Sequence, residues 1–388
     1  MEQHKLIRIT TVPISLLKLI KGQANYMQKK GFEVLFASSK ADENITIKNE
    51  TGIEVDILPL TRVISPFADL KALWLSYKYI KRNNPLIVHT HTPKAGLIGM
   101  LASKFSKVPI RMHTVAGLPL MEANGIKRTI LNLVEKITSW AATGVYPNSY
   151  ALKDFMVENK LAPISKLKVI GNGSSNGIDL DFFSLKNTPN YHSLRKELKI
   201  EDTDIVFCFV GRIVKDKGIN ELLEAFDKLN KDLKNSKLLI IGTQEKELDP
   251  ITEKSISILK NNPNVLELGW QNDIRPYLAI SDTFVFPSYR EGFPNVVLQA
   301  GAMNLPSIVS DINGSNEIIQ NNINGLIIPS KETELLFQAM KLLGSDELLR
   351  KKLSEPAREI IKAKYSQDFV WNELYKEYTK QINRIKNV

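Results

Sequence analysis

Short apolar runs alternate with segments of helical spacing, and the alternation occurs twice along the chain. In the first half "KLIRITTV", "EVLFASS", "EVDILPL", "LIVHTHT" and "PIRMHTV" read as strands. Between them, "SLLKLIKGQANYMQKKG" reads as one helix stopped by Gly31, and "FADLKALWLSYKYIKRNN" and "KAGLIGMLASKFSK" follow as two more. The pattern restarts after residue 185 with "DIVFCFVGRI", an unbroken apolar run of the kind buried on both faces of a sheet. The helical "GINELLEAFDKLNKDLK" and the short strands "KLLIIGT", "NVLELGW", "DTFVFPS", "LPSIVSD" and "GLIIP" complete it. Repeated strand–helix–strand units require a parallel sheet with helices on both faces. The tract "GNGSSNGIDLDFFSLKNTPNYHS", rich in Gly, Ser and Asn, has the composition of a hinge. The expected architecture is therefore α/β, with two doubly wound domains, 1–185 and 186–366, facing each other across a cleft. A tail helix, 367–388, is expected to pack back towards the first domain, with Phe369, Trp371, Leu374 and Tyr375 on its apolar side.

Charge separates the halves. Residues 1–190 hold 25 Lys and Arg against 14 Asp and Glu, so they carry +11 of the chain's net +10. An anionic partner fits such a half: a phosphorylated substrate, an anionic membrane surface or nucleic acid. Nucleic acid is disfavoured, because the basic residues are scattered and no recognised motif is present. A solvated basic face with no partner is the competing reading. The single cysteine, Cys208, lies in an apolar run and has no disulfide partner in the chain, which fits a reducing compartment. No run of 18 apolar residues exists, and the apolar N-terminus is interrupted by Arg8, Pro13 and Lys18. The expected location is cytoplasmic, peripheral on the inner face of the membrane at most.

Doubly wound sheets bind ligands beyond the carboxyl ends of their strands. In "FVGRIVKDKGINELLEAF", Arg212 follows a strand and Lys217 precedes a helix. Two cations beside a helix N-terminus suit a diphosphate. In "PSYREGFPNVVLQAGAM", Gly292 lets backbone approach a ligand and Pro294 suits helix entry. Glu291 can accept from sugar hydroxyls, and Gln299 stands one helical turn beyond Asn295 on the same face.

Together with "SNGIDLDFF" and "NGLIIP", these motifs resemble the retaining glycosyltransferases of family 4, which have the GT-B fold of two Rossmann-like domains. The resemblance covers essentially the whole chain. It implies a nucleotide-sugar donor, most simply a UDP-sugar, in the second domain, with no cofactor and no metal. Arg212 and Lys217 would bind the diphosphate. Glu291 would bind the transferred sugar, within a loop of Gly292, Phe293, Pro294 and Asn295. The family's usual second Glu is Gln299 here, whose amide oxygen can still accept from a ribose hydroxyl.

The first half departs more from the family. No Gly-Gly turn follows its first strand, and Ala116 stands where the family often has a His. His113, three residues earlier, and His91, at the end of the neighbouring strand, are the expected substitutes. His89 and His91 are expected to point to opposite sides of their strand, with His91 facing the cleft and His89 structural. A zinc site on the two lacks a third ligand. "HTHTPKAG" and "HTVAGLP" resemble bacterial enzymes that build capsule, O-antigen or exopolysaccharide units on a polyprenyl diphosphate. The implied acceptor is thus a lipid-linked saccharide. "SLLKLIKG" reads as an interfacial helix or a core helix. The alternatives are a GT-B nucleotide-sugar 2-epimerase and a non-catalytic nucleotide-sugar-binding protein.

Overall fold

Twelve strands form where the apolar runs lie, and every pairing between them is parallel. They are β1 (His4–Thr10), β2 (Phe32–Ser38), β3 (Val55–Ile57), β4 (Ile87–His91), β5 (Ile110–Val115) and β6 (Gly144–Pro147) in the first half. In the second they are β7 (Ile205–Val210), β8 (Ser236–Ile241), β9 (Val265–Gly269), β10 (Thr283–Phe286), β11 (Ser307–Ser310) and β12 (Gly325–Ile328). The computed structural model describes residues 4–63, 65–121, 123–245, 247 and 249–386. Two six-stranded sheets result, ordered β3-β2-β1-β4-β5-β6 and β12-β11-β10-β7-β8-β9. In each, the order turns beside the first strand of its half, between β1 and β4 and between β10 and β7. Those turning points are where such sheets receive ligands.

The chain divides into two compact units, Met1–Asn176 with Asp368–Val388, and Gly177–Gln367. The first boundary falls earlier than the expected 185/186. In the first unit two apolar clusters cover opposite faces of the sheet. One holds Ile7, Ile9, Val88, Ile98 and Leu120, the other Leu6, Leu16, Phe32, Ile87 and Tyr378. The second unit has one large cluster built around β7, β8 and β10.

Two local expectations need correction, and one open alternative is decided. The segment after β1 is two helices, Ile14–Leu19 and Gln23–Lys29, not one. Gly22 breaks it at φ +81°, and a Cβ there would lie 2.5 Å from the Trp371 ring. The first of these helices is a core helix, because Leu16 and Ile20 are buried and Leu17 and Leu19 pack on the same cluster. The tail helix, Gln367–Lys386, buries Leu374 as expected, together with Val370, Tyr378 and Ile382 in place of Phe369, Trp371 and Tyr375. That stripe repeats every four residues and so stays on one side of a helix. No helix among the described residues is long and apolar enough to cross a membrane.

Candidate active site

The second unit gathers its candidate site side chains at the turning point of its sheet. β7 ends at Val210, and Gly211 and Arg212 follow it; β10 ends at Phe286, and Pro287 and Ser288 follow it. A short 3-10 turn, Lys215–Lys217, leads through Gly218 into the helix Ile219–Asp232. Gly218 has φ +69°, and a Cβ on it would meet the Pro287 carbonyl oxygen at 2.1 Å. Only glycine lets these two strand-end loops touch.

That contact sets Lys217 against the loop after β10. Its Nζ donates to Glu291 Oε1 at 2.5 Å, and Ser288 Oγ donates to the same oxygen at 3.0 Å. Both members of the ion pair are largely enclosed, at 14% and 16% side-chain exposure. Solvent screening is therefore weaker than for a surface pair. Further bonds hold the loop. Arg290 Nη2 donates to Asp216 Oδ2 at 2.6 Å, the Tyr289 hydroxyl to Glu221 Oε1 at 2.6 Å, and the Asn313 amide to the Glu291 carbonyl. Burial and the Glu221 hydrogen bond raise the Tyr289 pKa, so its hydroxyl stays protonated as a donor.

Arg212 is half exposed and pairs through Nη1 with Glu245 Oε2 at 2.7 Å. A guanidinium has five N–H donors, so this pair leaves it able to grip an oxyanion. Pro294 caps the helix Asn295–Ala302. Phe293 is buried against Tyr365, with ring centroids 5.4 Å apart. Gly314, at φ +77°, approaches the Gly292 carbonyl so closely that a Cβ would stand 2.9 Å from it. Asn295 is exposed at the helix start and Gln299 half-buried one turn on. Thus Lys217, Glu291 and the Gly292–Asn295 loop are brought together, and Arg212 lies two residues past the end of the neighbouring strand.

The histidines of the first unit are placed otherwise than expected. Residues two apart share a face of a strand, and His89 and His91 do so, with ring centroids 4.3 Å apart. His89, His91 and His113 are all buried. His89 Nδ1 meets the Tyr378 hydroxyl and its Nε2 the Thr114 hydroxyl, each at 2.7 Å. His91 Nε2 lies 2.9 Å from Arg8 Nη2. His113 Nδ1 lies 2.8 Å from Thr90 Oγ1, and a Cβ on Gly96 would stand 2.4 Å from its Cε1. The ring therefore fills the space beneath the helix Pro93–Phe105, in place of the strand-end position expected. Burial holds the His113 pKa at about 4 against the opposing Thr90 hydrogen bond. Burial, with help from Arg8, pushes His89 and His91 well below the ordinary value. The rings are neutral at pH 7. Among the described residues no cluster of three His, Cys, Asp or Glu side chains could hold a metal ion. Sequence reasoning missed Ser288, three residues before Glu291, and also Asp216 and Asn313, whose contacts come from loops far apart in the chain.

Two family models match the chain: "Glycosyl transferase 4-like domain" over residues 20–173 and "Glycosyl transferases group 1" over 190–360. The capsular polysaccharide biosynthesis glycosyltransferase CapM of Staphylococcus aureus is 35% identical, over 97% of both chains. The UDP-Gal:alpha-D-GlcNAc-diphosphoundecaprenol alpha-1,3-galactosyltransferase of Escherichia coli is 30% identical, over 89% of this chain and 90% of its own. The crystal structure of a glycosyltransferase from Rickettsia africae superposes with a TM-score of 0.83 at 21% identity, covering 98% and 99% of the two chains, a likeness of fold. The chain belongs to the GT-B glycosyltransferases of family 4. It is a glycosyltransferase, as the family models and its relatives show.

Proposed function

We propose that this enzyme moves a sugar from a UDP-sugar to a hydroxyl of a polyprenyl-diphosphate-linked saccharide, with retention and without a metal, in bacterial surface polysaccharide synthesis. The observation that carries the reading is the meeting of Lys217 and Glu291 beside Arg212 at the turning point of the second sheet. The two relatives named above, one for capsule and one for a diphosphoundecaprenol acceptor, support the substrate class.

Arg212 and Lys217 hold the donor diphosphate and stabilise the charge that grows on it as the sugar leaves. Glu291 accepts from hydroxyls of the transferred sugar, and its bond from Lys217 ties the sugar subsite to the diphosphate subsite. The Gly292–Asn295 loop presents backbone N–H groups at the start of the helix Asn295–Ala302. Gln299 accepts from the ribose. The acceptor attacks the face that the diphosphate leaves, and a phosphate oxygen takes its proton. His91 and His113 act here as positioning residues of the first sheet, since their rings are buried and neutral.

The protein works in the cytoplasm, against an anionic membrane surface. The outer face of the helix Pro66–Asn83 suits that surface, with Phe67 91%, Leu70 66% and Trp74 53% exposed. Lys78 Nζ sits 3.5 Å from the Trp74 ring centroid, pairing a cation with an apolar anchor. The test is a panel of UDP-sugars, first by thermal shift and then by transfer to an undecaprenyl-diphosphate saccharide. Transfer with the anomeric configuration kept supports the reading. Epimerisation or hydrolysis of the donor without any acceptor product sinks it.

A further inference from the structure

The first unit buries a positive charge that its own side chains do not neutralise. Arg8 lies mid-strand in β1 and is fully buried. Among the described residues its side-chain hydrogen bonds run only to His91, from Nε at 3.3 Å and from Nη2 at 2.9 Å. Burial pushes its pKa down, and no carboxylate is among the groups that act on it. A buried guanidinium without a counter-charge is costly, and removing it from water is offset only by an anion close by.

The surroundings supply a place for one. A cavity of about 20 Å³ is lined by Arg8, Gln23, His91, Asn148 and Ser175, among others. Arg8 Nη1, His91 Nδ1, Gln23 Oε1, Asn148 Oδ1 and Ser175 Oγ are all buried there and have no hydrogen-bond partner in the protein. The protonation of His91 follows from Arg8. A guanidinium only donates, so His91 Nε2 must accept, and the single proton of the neutral ring sits on Nδ1. Arg8 Nη1 and His91 Nδ1 are therefore two N–H donors lining one small space. Turning the Asn148 amide over would sacrifice only a 3.4 Å bond to the Ala116 carbonyl and add a third donor. Ser175 can donate as well. Gln23 Oε1 remains an acceptor, because its amide nitrogen is held by the Ser175 carbonyl and Asn176 Oδ1. The cavity also lies beside β1 and β4, the pair at which the strand order turns.

We propose that this cavity is a binding site for one small inorganic anion of halide size, held by Arg8 and His91. The space admits a single particle of roughly water size, so it is too small for a nucleotide or a sugar. A water would satisfy the donors but would leave the charge of Arg8 unbalanced. The anion is a structural ligand of the first unit and is separate from the donor site of the second.

The test uses bromide as the probe on the whole protein. Melting temperature is followed as bromide replaces gluconate at constant ionic strength, and crystals soaked in bromide are examined for anomalous scattering. The expected result is a saturable rise in melting temperature and a peak within hydrogen-bond reach of Arg8 Nη1 and His91 Nδ1. Arg8→Met should lose the saturable rise. Asn148→Asp places a carboxylate in the same cavity, so it should melt higher than wild type in gluconate and respond no further to bromide. This second variant keeps the proposal testable if Arg8→Met does not fold. An equal bromide response in wild type and Asn148→Asp would overturn the proposal, as would a soaked crystal with no peak at the cavity.

Discussion

β1 and β7 hold equivalent places in their sheets, yet β1 reads HKLIRIT and β7 reads IVFCFV. Their neighbours across the turning point differ in the same sense. β4 carries His89, Thr90 and His91, whereas β10 is TFVF. The second unit keeps its sheet apolar and mounts Arg212, Lys217 and Glu291 just past the strand ends, where they can turn to a ligand. The first unit sinks Arg8 and three histidines into the sheet and ties them to Tyr378, Thr114, Thr90 and one another. One topology therefore supports two uses of polar groups: at the strand ends they are available for chemistry, and within the strands they specify packing.

Acid should separate the units most. His89, His91 and His113 are neutral when folded and have pKa values depressed below the ordinary 6.5. Unfolded, each takes up a proton below pH 6.5, so their stability is present above that pH and is lost as pH falls. For His113 the loss runs down to about pH 4. Each ring forfeits about 1.4 kcal/mol per pH unit over its window. Glu135 in the same unit opposes them. Burial raises its pKa to about 7, so its contribution is lost as pH rises and returns on acidification. With three rings against one carboxyl, hydrogen exchange should show the first unit losing protection between pH 6.5 and 5 while β7 and β8 keep theirs. Equal loss in both units would erase the contrast.

The next largest effect belongs to the second unit. Lys217→Ala or Arg212→Ala should each cost about 2–4 kcal/mol of transition-state stabilisation, read as turnover, with little change in melting temperature. Near-normal turnover in both variants would show that the strand ends do not do the chemistry. Tyr378→Phe inverts the pattern. It removes the hydroxyl partner of His89 Nδ1 and should cost about 1–3 kcal/mol of stability while donor affinity is kept. A melting curve and a UDP titration on one sample separate the two readouts. The smallest effect is expected from Gln299→Glu, a small change in turnover, because a carboxylate accepts from the ribose hydroxyl as the amide oxygen does. Glu291→Gln should lose far more, because it weakens both the bond from Lys217 and the acceptor for the sugar. Reversal of that order would reassign the two positions.

The second unit was the more legible in sequence. Its strands are continuous apolar runs, and its site residues follow those runs directly, so local reading placed Arg212, Lys217 and Glu291. The first unit resisted because its distinctive contacts are remote. Nothing near Gly22 announces that the Trp371 ring packs against it. His89 and His91 were assigned to opposite sides although a spacing of two puts them on one. Arg8 looked like an interruption of an apolar start, and only the folded sheet shows it beside His91. Asp216 and Asn313 likewise reach the Glu291 loop from distant parts of the chain, through Arg290 and the Glu291 carbonyl, and no local window contains those contacts.

The tail helix gives the first unit a particular order of assembly. Tyr378 completes the hydrogen bonding of His89, Glu377 receives the Tyr146 hydroxyl, and Trp371 reaches Asn176. All three partners leave the ribosome after the whole of Gly177–Gln367 has been made. The second unit can therefore finish folding while the first still waits for its last helix, although the first began synthesis earlier. Without that helix, the face of β1 and β4 that carries His89 lacks Tyr378 as its cover and partner. Domains usually mature in the order in which they are translated; here the unit that begins the chain depends for its last partners on the segment made after the other unit.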